Sequence, residues 1–441
     1  MINKVSLSNV PEKITSNATA IETLPVKDSI ELSNSFREES KKSKWLILNY
    51  IAADCNLETY QMRNVDDMEK VGSDSNTDIV VQIDRGPDPS QIDGGWTNAR
   101  RYYVTKDQVK DKLGSQVLEN LGPIDMSNPK TLTDFIVWGV NKYPAEHVAL
   151  VFNDHGGGFT GAMADDTEGS FMNLPDLAKG ISDAQKVTGK KLDIIGFDAC
   201  LMAEAEVAHE LKDSGKILLG SEENEGGPGW TYSSMLGARV ISKTMEKINE
   251  MADKRVNVGP KEFAKIVVDV NRENSGDIPT FSAIDLEKMP EITSSLNKLA
   301  ESIIESKNKK AIKEAVSNAE NYGGGYVPYR DLRDIKDLCD KMIGSSSIKD
   351  EKLKENAALV IESMQKAVIA NENDPDSHPN SNGLSVYIPT NVGESGPYYN
   401  YKSTLFAKET KWDEAIASLN LKSQETSPDR PVVWPDGSAR K

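Results

Sequence analysis

Two residue types able to do nucleophilic and proton-transfer chemistry are scarce in this chain: three cysteines and four histidines occur among 441 residues. A thiolate is a strong nucleophile, and imidazole is the side chain that exchanges protons near neutral pH. Cys200 lies in KKLDIIGFDACLMAEAEVAHELK, after the apolar run Leu192, Ile194, Ile195 and Phe197. Leu201, Ala205, Ala208 and Leu211 then recur at helical spacing, so Cys200 is expected where a strand ends and a helix begins. A helix start presents unpaired N–H groups and a partial positive charge, which favours the thiolate. The plainer reading is a small buried cysteine at a helix start. His155 ends a second apolar run, Val148 to Phe152, in HVALVFNDHGGG.

The elements between these residues decide whether they meet. Leu174, Leu177, Ile181 and Ala184 predict one helix between the two runs. A strand, crossover helix and strand form a right-handed parallel unit, and parallel strands release their ends at one sheet edge. Neighbouring strands would therefore bring His155 and Cys200 together as proton acceptor and nucleophile. The other histidines fit less well. His209 falls on the far side of the expected helix, His147 precedes its strand at the wrong edge, and His378 sits in an Asn/Asp/Pro loop. Gly156 permits close backbone approach, and its N–H with that of Cys200 would form an oxyanion hole. Asp198 has two readings, a helix cap or the floor of a pocket for a cationic side chain. Trp230, among glycines in GGPGW, reads as a pocket wall or as a loop anchor. Cys55 also follows a strand and reads as a packed thiol.

The chain carries 69 acids against 52 bases, a formal charge of −17, which argues against nucleic acid as a partner. Three cysteines make no disulfide framework, and no apolar stretch is long enough to span a membrane. Residues 1–43 read as a disordered arm or propeptide. They lack the apolar core of a secretory signal, which points to a cytoplasmic protein or to export by a non-standard or truncated leader. Residues 44–245 read as the core, with strands at 45–53, 79–83, 148–152 and 216–220 and a likewise expected edge strand at 100–104. Residues 246–420 read as mostly helical, with a short strand at 281–284 and a late strand at 383–389 that returns to the main sheet. Residues 421–441 read as a tail. The loop 156–173 carries Asp165, Asp166 and Glu168, read as a solvated acidic segment or a cation site.

WLILNYIAADCNLE, NDHGGG, GFDACLMAEAEVAHEL, SEENEGGPGWTY and GLSVYIP, in that order, resemble the clostripain family of cysteine peptidases. The resemblance runs from about Trp45 to Pro389. It implies a caspase-like α/β/α sandwich with a mostly parallel sheet. It implies a His155–Cys200 dyad, an acyl-enzyme intermediate, and cleavage of peptides after Arg or Lys, with Asp198 reading the basic side chain. No cofactor is firmly implied, although some relatives use Ca2+; a monomer is expected. Two departures stand out: no Lys or Arg lies between His155 and Lys179, where relatives often cut themselves, and Ser233 stands where relatives often carry an acid. A catalytically silent caspase-like binding protein is the alternative, as is a doubly wound enzyme of unrelated chemistry.

Overall fold

The computed structural model describes residues 42–230, 259–273, 278–324, 329–389 and 401–420. Its frame is a nine-stranded sheet. In chain order the strands are β1 (Ser43–Ala53), β2 (Thr77–Arg85), β3 (Asn98–Tyr103), β4 (Gln116–Gly122), β5 (Ala145–Asn153), the hairpin β6 (Ala162–Asp165) and β7 (Ser170–Met172), β8 (Leu192–Asp198), β9 (Gly215–Gly220), β10 (Thr280–Asp285), β11 (Leu332–Asp334), β12 (Val368–Asn373) and β13 (Ser385–Tyr387). The sheet order is β12-β10-β9-β8-β5-β1-β2-β3-β4. The stretch from β9 through β2 is parallel, and antiparallel strands flank it on both sides.

The central strands carry apolar runs because both faces are covered. Along β1, Leu46, Leu48, Tyr50 and Ala52 face one layer, with Leu132, Phe135, Leu177 and Ile181. Trp45, Ile47, Ile51 and Ala53 face the other, with Met62, Val65, Phe263 and Val267. The first layer includes helices Pro129–Lys142 and Leu174–Thr188, the second Glu58–Glu69 and Pro260–Glu273. This is the expected three-layer α/β/α sandwich, and the expected crossover helix between the histidine and cysteine strands is present.

Three local expectations are corrected. The segment 100–104 belongs to β3, which is not the edge; β4 lies outside it. A late strand does return to the main sheet, but it is β12. The 383–389 segment instead pairs with β11, touching the core through a bridge between Ser385 and Glu204. No helix starts at Cys200: Cys200 and Leu201 form a turn, an irregular stretch follows, and the helix begins at Ala205. The amino-terminal arm up to residue 41, the boundary at 245 and the tail fall outside the described residues.

The connection from β1 leads to β2 on one side, while that from β5 leads to β8 on the other. The direction of winding therefore reverses between β1 and β5, and such a reversal opens a crevice at the carboxyl ends of the strands.

Candidate active site

That crevice is a cleft of about 260 Å³ lined by residues from the ends of β5 and β8, the helix after β1, and the loop after β9. Asn153 of β5 pairs with Asp198 of β8 with no strand between them. His155 and Cys200 each lie two residues past that pair, and both line the cleft. The structure thus brings together the two residues that the sequence singles out.

Cys200 is held by its turn rather than by a helix dipole. Leu201, the next residue, has φ +67°, a left-handed backbone that costs a non-glycine residue about 1–2 kcal/mol. Its N–H donates to Glu223 O, and Ala203 N–H donates to Ser221 O, so the loop after β9 braces the turn. The N–H of Glu225 donates to Cys200 Sγ at 3.3 Å. Burial, with the charges of Glu225 and Glu223 adding to it, pushes the thiol up to about 12. The thiol at rest is therefore protonated, contrary to the helix-start expectation.

His155 Nε2 lies 2.6 Å from Asn56 Oδ1, just beyond β1. A carbonyl oxygen only accepts, so in this contact Nε2 donates and Nδ1 is the nitrogen left for proton transfer. Asp154, next in line, is buried. It accepts hydrogen bonds from Cys55 Sγ at 3.1 Å and from Ala164 N–H. Gly156 packs against Cys200: a Cβ there would fall 2.3 Å from Cys200 O. In the bridge between residues 156 and 162, Met163 N–H donates to His155 O and Gly157 N–H to Gly161 O, so neither bond uses the Gly156 N–H.

Asp198 caps no helix. Its carboxylate accepts from the Asn153 side-chain amide and, at 2.8 Å, from Trp230 N–H. Burial pushes it up to about 7. Glu225 lies beside it, also on the cleft, with its carboxyl buried within reach of the Asp198 carboxyl and the Trp230 side chain. Burial first, and the Asp198 charge second, raise Glu225 well above the usual carboxylate range. Among the described residues no Lys or Arg pairs with either of these two buried carboxyls.

Trp230 is an anchor rather than a pocket wall. Its ring is buried edge-to-face on Phe281 at 5.0 Å and packs against Gly196, and only its backbone N–H reaches Asp198. The remaining histidines stand elsewhere: His147 by Asp193, His209 between Thr293 and Glu409, His378 by Glu223 and Glu320. Asp165 is buried, accepting from Met126 N–H and Glu168 N–H, while Asp166 and Glu168 are exposed. Ser233 lies outside the described residues. Asn56 and Glu225 went unrecognised in the sequence. Both sit in irregular segments whose path no periodicity reveals.

The pattern defining the clostripain family matches residues 49–419. Clostripain from Hathewaya histolytica is 22% identical over 423 residues, covering 84% of this chain and 79% of that protein. Among solved structures, a secreted C11 cysteine protease from Bacteroides thetaiotaomicron in complex with an irreversible peptide inhibitor superposes with a TM-score of 0.61. It is 19% identical, over 84% of this chain and 100% of the other. An inactive zymogen C11 protease from Parabacteroides distasonis gives 0.59 at 21% identity, over 84% and 99%.

Proposed function

The chain belongs to the clostripain family of cysteine proteases, and from that premise we propose that it is an endopeptidase cutting after Arg or Lys through His155 and Cys200. The observation that carries this reading is the pair of buried carboxyls, Asp198 and Glu225, on the same cleft as the thiol and the imidazole. A guanidinium or ammonium entering between the acids relieves their repulsion and sets the following carbonyl beside Cys200.

His155 takes the thiol proton as Cys200 attacks that carbonyl. The Gly156 and Cys200 N–H groups receive the developing oxyanion. His155 then passes the proton to the departing amine, leaving an acyl-enzyme that water hydrolyses. Asn56 holds the imidazole, a positioning role like that of the third member of a triad.

The test is cleavage of short reporter peptides ending in Arg, Lys, Leu or Asp, with and without added calcium, a cation suited to the acidic loop. Wild type is expected to cut the Arg and Lys reporters. Cys200→Ala is expected to lose about 10⁴-fold or more in kcat. Equal rates in the two proteins, or no cleavage in either, would overturn the reading; the latter result would favour a silent binding protein.

A further inference from the structure

We propose that Cys55, Asp154 and His155 form a binding site for a zinc-class divalent cation, and that filling it withdraws His155 from Cys200. The three residues come from the two strand ends that frame the crevice: Cys55 just past β1, Asp154 and His155 just past β5. One ligand atom from each lies within 4.8 Å of the others. A tetrahedral zinc with sulfur, nitrogen and oxygen ligands holds those atoms about 3.3–3.6 Å apart, so closing on a metal takes shifts of about 1 Å. The Cys55 sulfur and the Asp154 oxygen are already 3.1 Å apart.

The surroundings are fixed rather than adaptable. Gln61 Nε2 donates to both Ala52 O and Asn153 O, at 3.1 and 3.0 Å, tying the two strand ends together beneath the ligands. Asp154 is further pinned by Ala164 N–H. Such outer contacts orient ligands before the metal arrives. Thiolate, imidazole and carboxylate together select zinc-like ions over calcium or magnesium, which prefer oxygen alone. Three protein ligands leave a fourth position for water. Binding replaces the S–H bond of Cys55 with a metal–sulfur bond and releases that proton to solvent, so affinity rises with pH.

The binding site stands on this geometry alone. Its inhibitory consequence rests on the peptidase reading, and the test separates the two. Binding is read in the full chain carrying Cys200→Ala, titrated with Co2+ as a spectroscopic probe. One equivalent should produce thiolate-to-cobalt charge-transfer absorption, and Cys55→Ser added to that background should abolish it. Inhibition is read in chelator-treated wild type and in Cys55→Ser, both cutting the Arg reporter at similar basal rates. The zinc concentration for half inhibition should rise about 10-fold or more in Cys55→Ser. Should that variant fold poorly, as judged by its melting, Cys55→Ala replaces it in both arms. Absorption that is absent, or unchanged without Cys55, would overturn the site; equal zinc sensitivity of the two active proteins would overturn the inhibition. If metal-free wild type cuts no reporter, the peptidase reading fails while the cobalt titration still decides the site.

Discussion

Asp198 and Glu225 share a corner where burial makes each resist losing its proton; Asp198 is held up to about 7 and Glu225 well above the carboxylate range. On the proposed specificity a substrate cation must expel at least one of those protons, so binding of Arg or Lys is expected to strengthen as pH rises. The expected profile is a KM for the Arg reporter that climbs as pH falls below about 7, with a smaller effect on kcat. Asp198→Asn should flatten that step and cost about 2–4 kcal/mol in kcat/KM, roughly 30- to 900-fold. Steady-state kinetics from pH 5 to 8.5 would check this, and an unchanged KM profile in the variant would contradict it. Asp198 could be singled out in the sequence because it stands in the same short motif as Cys200. Glu225 could not: Glu222 and Glu223 are equally close in the chain, and only the path of the loop turns one of the three toward the thiol.

At the scale of elements, the strand ends must be held for the cleft to exist. The buried Arg85 at the end of β2 donates to Glu58 at the start of the helix after β1, at 2.7 Å, and to Ser90 O and Ile92 O. Arg85→Met leaves Glu58 as an uncompensated buried charge, an expected loss of about 3–5 kcal/mol in denaturant unfolding. The segment after His155 is not an open loop: it folds as the β6–β7 hairpin with Ala162, Met163 and Ala164 buried. With no Lys or Arg before Lys179, which lies in a helix paired to Asp183, intact mass after incubation should show an uncut core. A clean cut between His155 and Lys179 would refute this.

The central strands were legible because burial on both faces leaves continuous apolar runs. β4, QVLENLG, is half exposed and mixes polar with apolar residues, so no such run marks it. β12, VIANEN, likewise carries too little apolar pattern to stand out beside GLSVYIP. The apolar spacing after Cys200 begins in the turn, ahead of the helix itself, and no periodicity reports the left-handed Leu201.

At the scale of the molecule, buried acids dominate. Burial pushes Asp84 up to about 8, Asp154 and Asp165 to about 6, Glu206 to about 7 and Asp334 to about 6. Each holds a proton in the folded chain that the unfolded chain has already released. Between about pH 4 and 8 the native state therefore binds more protons, and stability falls as pH rises. Melting temperature should be highest near pH 5 and drop toward pH 8. Glu206→Gln, which keeps the hydrogen-bonding shape without the charge, should reduce that drop. A melting temperature flat or rising over this range would contradict the expectation.

The protonated state of the resting Cys200 thiol also bears on durability. Alkylating reagents and peroxides attack the anion of sulfur, so an idle molecule presents them with a poor target. On the proposed specificity, a substrate that brings a positive charge into the acidic corner offsets the charges of Glu225 and Glu223, which add to burial in keeping the proton in place. On that reading reactivity is coupled to recognition, and Cys200 is spared oxidative wear while the cleft is empty.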